Sequence, residues 1–245
     1  MNAALSACCG IATALACAAS AAATDINRPP PVHYPAVSAE GADIAVFVPS
    51  GWRIEKQETG DLNGDGRADR ALILHDDDPA LRVPLPFDDS SKVDTNPRLL
   101  VVLFARAEGG FRRALANHTL IPRVDSGRMD DPIDGVVASD FAITDGTLQI
   151  ALGGFGAEMY QPAYTFRWRD GAFRLIVFEY SKVHRMSGAV HELHIDYRTR
   201  RIERRRGNIA DDKETVRHGQ LPPGPLPTLD QIGDGLAFDP LAAGE

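Results

Sequence analysis

Apolar and polar residues alternate over short stretches along most of this chain, and turn residues separate the stretches. Alternation with a period of two is typical of half-buried strands, because successive side chains in a strand point to opposite faces. No stretch of useful length shows the apolar period of a helix. The sequence therefore predicts an all-β fold. The stretches that fit a strand are Ile44–Val48, Trp52–Lys56, Arg70–His75, Leu99–Ala105, Phe111–Ala116, Val136–Ile143, Leu148–Leu152, Tyr164–Arg169, Phe173–Tyr180, His191–Tyr197 and Arg201–Arg206.

Turn dipeptides join several of these stretches into hairpins. Asp145-Gly146, Asp170-Gly171 and the run Glu108-Gly109-Gly110 each lie between two apolar stretches, where such residues favour tight turns. Many short antiparallel strands of even spacing indicate a sandwich, a barrel or a propeller. Residues 76–98 are rich in Asp, Pro and Ser, and we expect them to form a long surface loop.

The first 23 residues have the character of an export signal. Residues 1–23 carry no charged side chain and end in Ala21-Ala22-Ala23, a small-residue cleavage site. Cys8 follows a lipobox-like Leu-Ser-Ala, and Cys17 follows a looser Ala-Leu-Ala, so a lipid anchor is an alternative to a soluble periplasmic product. All three cysteines of the chain lie in this segment. We therefore expect a mature chain without disulfides.

Composition divides the rest of the chain into three parts. Residues 24–42 are rich in proline and predict an extended tether. Residues 43–210 contain the predicted strands and form the folded domain. Residues 211–245 are again rich in proline, and we expect an irregular segment that packs back on the domain through Leu221, Leu226, Leu229, Leu236 and Phe238.

The charge of the chain limits its partners. The formal net charge is −8, and all of it belongs to the mature chain. An acidic protein is a poor candidate for binding nucleic acid, whereas its field attracts a basic protein partner. The run Arg198–Arg206 is basic, and we interpret it as a solvated hairpin edge, with an anion site as the alternative. We expect a monomer.

The segment Asp61–Asp69 has the spacing of a calcium loop. Oxygen side chains stand at positions 1, 3, 5 and 9, and two glycines let the backbone fold around one centre. Position 12 is Leu72 rather than Glu, and the run that follows the loop is strand-like, so the loop is not an EF-hand. A simple Asn-Gly turn is the alternative. The predicted calcium ligands are Asp61, Asn63, Asp65, the carbonyl of Arg67, and Asp69.

Catalytic patterns are weak. His191 and His194 lie three residues apart on a predicted strand, so their imidazoles point to opposite faces and do not form a zinc pair. The sequence has no Gly-x-Ser-x-Gly elbow, and the mature chain has no cysteine. Acidic clusters such as Asp76-Asp77-Asp78 lie in predicted loops. We therefore expect that the protein is not an enzyme.

One segment between strands has the composition of a binding loop. Residues 153–162 contain three glycines, two aromatic residues and a methionine. Such a segment suits an exposed finger that enters a partner's cleft, with Tyr160 as a rigid anchor and Gly154, Phe155, Gly156 and Glu158 beside it. The alternative is that Phe155 and Tyr160 close the end of the sheet while the glycines form a bulge.

These residues resemble those of known families. The calcium loop between strands resembles the Asp-rich loops of FG-GAP and VCBS-type repeats of extracellular propeller proteins. Gly153-Gly154 with Tyr160, the pattern from Tyr164 to Ile176, and Ser187-Gly188 resemble exported β-propeller-like bacterial proteins related to inhibitors of invertebrate-type lysozyme. Some of those are immunity proteins against lysozyme-like effectors of antibacterial type IV secretion systems. The resemblance covers roughly residues 50–206.

The resemblance implies a β-propeller-like fold and a lysozyme-like peptidoglycan hydrolase as the partner. It implies partner contacts at residues 153–160 and at Ser187-Gly188, although the inhibitors carry Ser-Gly-x-x-Tyr and here His191 stands at the last position. Our leading hypothesis is a calcium-stabilised periplasmic inhibitor or immunity protein. A calcium-dependent cell-envelope module that binds glycan or protein without inhibition is the alternative, and an enzyme with loop carboxylates is the third.

Overall fold

The structure is a computed structural model that describes Ile26 and residues 28–85, 88–125 and 130–241. The predicted export signal of residues 1–23, with Cys8 and Cys17, lies outside the described residues. No helix among the described residues is long and apolar enough to cross a membrane.

The described residues form fifteen strands, two short 3-10 helices and one turn of α-helix. The all-β prediction is confirmed. The 3-10 helices span Ile44–Phe47 and Pro79–Leu81, and α1 spans Leu229–Ile232. The strands are β1 (Glu40–Gly41), β2 (Trp52–Gly60), β3 (Asp69–Asp76), β4 (Arg82–Leu85), β5 (Asp88–Asp94), β6 (Arg98–Ala105), β7 (Phe111–Asn117), β8 (Asp140–Thr144), β9 (Thr147–Ala151), β10 (Gly154–Phe155), β11 (Glu158–Arg169), β12 (Ala172–His184), β13 (Ala189–Asp196), β14 (Arg201–Asn208) and β15 (Asp211–Gln220).

The strands pair into three open sheets. The first sheet has five strands in the order β1-β7-β6-β3-β2, and a small sheet pairs β4 with β5. The second sheet has eight strands, in the order β15-β14-β13-β12-β11-β9-β8 with β10 paired to β11. A regular propeller is built from four-stranded blades, and the described sheets do not divide into such units. The structure therefore shows an all-β chain of open antiparallel sheets.

Tight turns join the second sheet as the sequence predicts. Asp145 and Gly146 both have positive φ between β8 and β9, and so do Asp170 and Gly171 between β11 and β12. Positive φ at both central residues is the conformation of the two-residue hairpin turn that matches strand twist. The first turn makes β8 and β9 neighbours in the sheet, and the second makes β11 and β12 neighbours.

The main core lies between the two larger sheets. On β11 the buried Tyr164 and Phe166 alternate with the more exposed Thr165 and Arg167, as the predicted period requires. One hydrophobic cluster contains residues of both sheets, so the sheets share a single core. Its members include Ala71, Ile73, Leu100, Val102 and Phe104 of the first sheet and Phe141, Leu148, Ile150, Tyr164, Phe166, Phe178, Ile195 and Ile202 of the second.

The first sheet is covered on its other face as well. Leu72 and Leu74 of β3 point away from the main core and pack with Phe47 and Val37. A sheet that is apolar on both faces needs cover on both, and the segment before β2 supplies it. The prediction of a tether over residues 24–42 is therefore wrong at its end, where Val37 is buried and β1 pairs with β7.

Three further segments differ from the prediction. Ile44–Val48 is not a strand, because the Asp43 carboxylate accepts a hydrogen bond from Ala45 N at 2.9 Å and begins a 3-10 helix. The predicted loop over residues 76–98 contains β4 and β5. The segment after residue 211 begins with β15 rather than with irregular structure. β15 is an exposed edge strand, so its polar residues on both faces hide the alternation and discourage pairing with other chains. Every other predicted strand overlaps an observed strand.

The residues after β15 lie on the second sheet. The Tyr164 hydroxyl donates a hydrogen bond to the Gly235 carbonyl at 2.5 Å. The Phe238 ring lies 5.5 Å from the Phe178 ring and 6.0 Å from the Tyr164 ring, measured between centroids. Leu221, Leu226, Leu229 and Leu236 also contact the main core. The tail thus packs on the core-facing side of β11 and β12.

A buried histidine lies in the first sheet. His75 on β3 pairs with Arg53 of β2 and with Arg98 of β6. Burial lowers the pKa of His75, and the charges of Arg98 and Arg53 lower it further, while Glu55 and Asp94 act in the opposite direction. The net effect keeps the imidazole neutral below its ordinary titration range.

We expect this histidine to make stability depend on pH. Because the folded pKa of His75 lies below the unfolded value of about 6.5, the unfolded chain takes up the proton first as the pH falls. The stability that depends on neutral His75 is complete above pH 6.5 and is lost as the pH falls toward the folded pKa. Urea-unfolding midpoints between about pH 7.5 and 5 should therefore fall less in His75→Gln than in the wild type. Equal falls in both proteins would contradict this assignment.

Candidate functional site

The predicted calcium loop joins β2 to β3 and is closed by Asp61. The Asp61 carboxylate accepts hydrogen bonds from Gly64 N at 2.7 Å, Gly66 N at 2.8 Å and Asp65 N at 3.2 Å. The bond from Gly66, with those from its neighbours, lowers the pKa of Asp61 against a small effect of burial. Gly64 and Gly66 have φ of +81° and +79°, a conformation that favours glycine.

The other side chains of the loop bond to one another. Asn63 Oδ1 accepts a hydrogen bond from Asp65 N, and Asn63 Nδ2 donates to Asp65 Oδ2, each at 3.0 Å. Arg67 Nη2 lies 2.5 Å from Asp65 Oδ2, and Arg67 Nε donates to the Ala105 carbonyl at 3.1 Å. The loop therefore carries its own cation, and Arg67 offers more than the carbonyl that the sequence assigns to it.

Asp69 has a different place from the other predicted ligands. Its side chain is buried, and it accepts hydrogen bonds from Leu62 N and from Ala105 N, both at 2.9 Å. Burial raises the pKa of Asp69, while these two backbone bonds lower it by less. Both oxygens hold backbone amides, so Asp69 fastens the loop to β6.

The donor set decides how far this loop fits a calcium ion. Asp61, Asn63 and Asp65 supply the oxygen ligands that a hard cation prefers, and the Arg67 carbonyl completes the predicted spacing. Among the described residues, however, no three His, Cys, Asp or Glu side chains stand close enough to hold a metal ion. Asp61, Asn63 and Asp65 are partly or fully exposed, whereas Asp69 is fully buried. Calcium binding therefore stays a prediction, with Asp61, Asn63 and Asp65 as its accessible candidate ligands.

The predicted finger is a hairpin rather than a free loop. Gly154 and Phe155 form β10, which pairs with the start of β11 through Gly154 opposite Tyr160 and Phe155 opposite Met159. Gly156 and the next residue form the exposed tip, so Tyr160, the predicted anchor, lies at the base of the hairpin and not at its tip. The Tyr160 ring lies over Gly154, where an added Cβ would be 2.1 Å from Tyr160 Cζ. Tyr160 and Gly154 therefore need one another to build the hairpin.

The second predicted contact, Ser187-Gly188, lies beside this hairpin in the turn between β12 and β13. Gly188 has φ of +68° and donates to the His184 carbonyl at 2.8 Å, and Ser187 Oγ lies 3.0 Å from His184 Nδ1. In the same turn, Arg185 Nη1 donates to the Gly156 carbonyl at 2.9 Å, and Arg185 N donates to Ala157 O at 3.2 Å. The two segments that the sequence singled out therefore meet.

A third turn completes this end of the second sheet. Ile209, between β14 and β15, donates from its N–H to the Gly188 carbonyl at 2.9 Å, and Asn208 Nδ2 donates to the Ser187 carbonyl at 2.8 Å. Met186 is 91% exposed and Ile209 is 70% exposed. We call this assembly the tip surface, and it consists of Phe155–Glu158, Arg185–Gly188 and Ile209.

Sequence reasoning missed the residues that stand out on the tip surface. Arg185 and Met186 lie in the turn that also contains Ser187-Gly188, and Ile209 lies in the next turn, but the sequence reasoning singled out none of the three. The only signal was an apolar Met186 and an apolar Ile209 in otherwise polar hairpin turns, where apolar residues are rarely needed. Both became recognisable only when β12, β13 and β14 were placed side by side.

One face of the second sheet carries basic residues beside the tip surface. Cross-strand pairing places Lys182, His191 and Arg206 in one row on the same face of the sheet, since paired residues share a face. Arg204 and Arg217 are paired in the next row. Lys182 Nζ is paired with Glu158 at 2.9 Å.

The prediction that Arg198–Arg206 forms a hairpin edge is wrong for β14, which lies between β13 and β15.

Comparison with known proteins adds no relative. No family model matches the chain, no curated protein is similar to it, and no solved structure resembles it. The resemblance to lysozyme inhibitors and FG-GAP loops therefore stays a prediction from the motifs.

Proposed function

We propose that this protein is a calcium-stabilised periplasmic inhibitor or immunity protein that blocks a lysozyme-like peptidoglycan glycosidase with its tip surface. The observation that carries the proposal is the tip surface itself, where a fixed arginine stands beside two exposed apolar side chains, Met186 and Ile209. Exposed apolar side chains at projecting turns suit a protein partner.

Arg185 is the cation that we assign to the partner's cleft. Glycoside hydrolases use a pair of carboxyl groups across the scissile bond, so their clefts attract a cation. The Arg185 guanidinium lies 4.3 Å from the centroid of the Phe155 ring and bonds to the Gly156 carbonyl. A side chain held in advance loses less conformational entropy on binding.

The other predicted contacts have supporting roles. Tyr160 and Gly154 shape the hairpin, Glu158 neutralises Lys182 of β12, and Ser187 with Gly188 shapes the turn that carries Arg185. The acidity of the whole chain is then not what recognises the partner. The local basic rows beside the tip surface suit an acidic cleft.

Calcium belongs to the proposal as a stabiliser. Asp61, Asn63 and Asp65, with the Arg67 carbonyl, would hold the ion between β2 and β3. A bound ion would stabilise the folded state by mass action and offset the repulsion between Asp61 and Asp65. We propose that the protein is a monomer. The character of residues 1–23 supports export to the periplasm, with a lipid anchor at Cys8 or Cys17 as the alternative.

Two substitutions on the tip surface test the inhibitor function. The mature chain is added to peptidoglycan lysis by a panel of lysozymes and by lysozyme-like effectors encoded beside this gene. We expect Arg185→Glu and Met186→Asp each to raise the concentration for half-suppression by about 30-fold, the size of a hot-spot loss. Arg169→Glu, at the other end of β11, and Val136→Asp, at an exposed apolar site, serve as matched controls.

The outcomes separate the proposal from its alternative. Unchanged circular dichroism in all four variants, with loss of suppression only in the two tip variants, supports inhibition through this surface. Equal losses in the controls would contradict the assignment. If the wild type suppresses no enzyme but is retained on insoluble peptidoglycan, the non-inhibitory cell-envelope module is correct, and the basic rows of β12 to β15 are its first candidate surface.

A further inference from the structure

A groove lies beside the turn between β13 and β14, at the opposite end of the second sheet from the tip surface. Its floor is the start of β14 and the end of β15, and its walls are the proline-rich residues 221–227 and residues 238–241. Its volume is about 690 Å³, within the range of roughly 300–1,000 Å³ that is usual for small-molecule sites. Most of the lining is apolar and includes Ile202, Phe238 and Leu241. The groove is therefore large enough for one small apolar molecule.

Hydrogen bonds hold the proline-rich wall in place. The Arg200 guanidinium donates to the Pro222 carbonyl at 2.6 Å and to the Gly224 carbonyl. At the other end of the wall, Leu175 N of β12 donates to the Pro227 carbonyl at 2.8 Å. Proline has a fixed φ and no N–H, so the run of prolines ends β15 and restricts the backbone of this segment. The groove is thus formed before any ligand enters it.

One end of the groove carries a cation without a partner. Arg204 of β14 is partly buried and lies on the same face as the buried Ile202, two residues away. Its guanidinium has no hydrogen bond or ion pair within the part of the chain that the structure describes. A Cβ added to Gly219 of β15 would be 3.3 Å from Arg204 Nη1. Since Gly219 pairs with Ile202, the guanidinium leans along the sheet toward the groove.

The other charges around the groove leave it positive. Arg217 is paired with Arg204 across β14 and β15, and it also has no ion pair among the described residues. Like charges directly opposite each other destabilise a sheet, and a bound anion would offset this repulsion. Arg200 also lines the groove, and Asp239, which accepts a hydrogen bond from Leu241 N at 2.9 Å, is the one carboxylate in the described lining. Two arginines against one carboxylate favour an anionic ligand.

We propose that this groove binds a single-chain anionic amphiphile of the fatty-acid class. The carboxylate would accept hydrogen bonds from Arg204, and the alkyl chain would lie against Ile202, Phe238 and Leu241. Arginine binds a carboxylate through two parallel N–H donors, and burial of the alkyl chain supplies the rest of the affinity. The site is separate from the tip surface and does not depend on the inhibitor function.

The test is a fluorescence titration of the mature chain with dansyl-undecanoic acid, a fatty acid that carries a fluorophore. We expect one molecule to bind per chain, and unlabelled dodecanoate to displace it. Dodecanol has the same alkyl chain without the charge. It should displace the probe about tenfold less well, because it lacks the charge-assisted hydrogen bonds to Arg204.

Substitutions locate the site. Arg204→Gln and Leu241→Asp should each weaken binding of the probe by about tenfold or more, the first by removing the cation and the second by placing a charge in the apolar wall. Arg206→Gln is the matched control, since Arg206 lies on the same strand and face, in the row nearer the tip surface, and is not part of the groove lining. Arg204→Gln also removes the repulsion with Arg217, so it should unfold at no lower urea than the wild type.

Each outcome decides the proposal. Weaker binding in the two groove variants, with wild-type affinity in Arg206→Gln, supports the site. The proposal is overturned if the wild type shows no saturable binding, if dodecanol displaces the probe as well as dodecanoate does, or if Arg206→Gln weakens binding as much as Arg204→Gln. Sedimentation with phosphatidylglycerol vesicles examines the last case. Vesicle binding that both arginine variants weaken equally would assign these arginines to a membrane surface and would also overturn the proposal.

Discussion

Arg98→Ala is expected to lower the free energy of unfolding by about 3–5 kcal/mol, because two carboxylates would remain in a largely buried site without their cation. The Arg98 side chain is 3% exposed. It donates to both oxygens of Glu55, at 2.6 Å and 2.9 Å, and to Asp131 Oδ2 at 2.9 Å. These bonds join β6 to β2 and to the segment of Asp131, which also binds the start of the tip hairpin through Pro132 O and Gly153 N.

An exposed arginine with the same kind of partners provides the control. Arg106 pairs with Glu40 and Glu108, but its side chain is 34% exposed and those of its partners are 54% and 62% exposed. Solvent-exposed ion pairs contribute about 0–1 kcal/mol, so Arg106→Ala should change stability little. Urea unfolding measures both variants, and similar losses in the two would contradict the argument from burial.

The dependence of stability on low pH gives a second measurement of the Arg98 site. Burial raises the pKa of Asp131, but the charge of Arg98 and the amides of Asp134 and Ile133 lower it by more, so the net shift is downward. Stability from Asp131 is therefore complete above its ordinary pKa of 3.8 and is lost as the pH falls through the lower folded value. In Arg98→Ala, the free energy of unfolding should therefore fall less at low pH than it does in the wild type.

Asp69→Ala is expected to lower the free energy of unfolding by about 2–6 kcal/mol, since it leaves two backbone N–H groups without acceptors at about 1–3 kcal/mol each. The groups are Leu62 N and Ala105 N, which Asp69 joins across the calcium loop and β6. Because Asp69 is fully buried and is not among the proposed calcium ligands, the loss should be the same with calcium and with a chelator.

Asp65→Asn tests calcium binding separately from the hydrogen bonds of Asp69. It keeps the shape of the side chain and removes a charge from the proposed calcium ligands. We expect the wild type to unfold at lower urea in chelator than in calcium, and Asp65→Asn to unfold at the same urea concentration in both. A wild type that is indifferent to calcium would contradict the calcium proposal, while the Asp69→Ala result would stand independently.

Local patterns were enough to find most strands and their turns. Alternation places Tyr164 and Phe166 on the buried face of β11, and the Asp-Gly pairs at residues 145–146 and 170–171 adopt the positive φ that such pairs favour. Local chemistry also marked the loop of Asp61–Asp69. The alternation pattern failed at β15, because this exposed edge strand has polar residues on both faces.

Pairing between distant residues decided the rest. The partners of Arg98 are 43 and 33 residues away in the chain, and nothing in a local window identifies them. The same holds for the three turns of the tip surface. Tyr160 shows the limit most clearly, because composition predicts an anchor of an exposed finger, whereas the pairing of β10 with β11 places its ring over Gly154.

The sequence by itself determined the fold class, the faces of the strands, the hairpin turns and the loop between β2 and β3. Only the tertiary structure decided which strands are neighbours, and hence the tip surface and the Arg98 site. The physical reason is that a period of two sets the face of a side chain from its own strand, whereas its neighbours on that face are set by register with other strands.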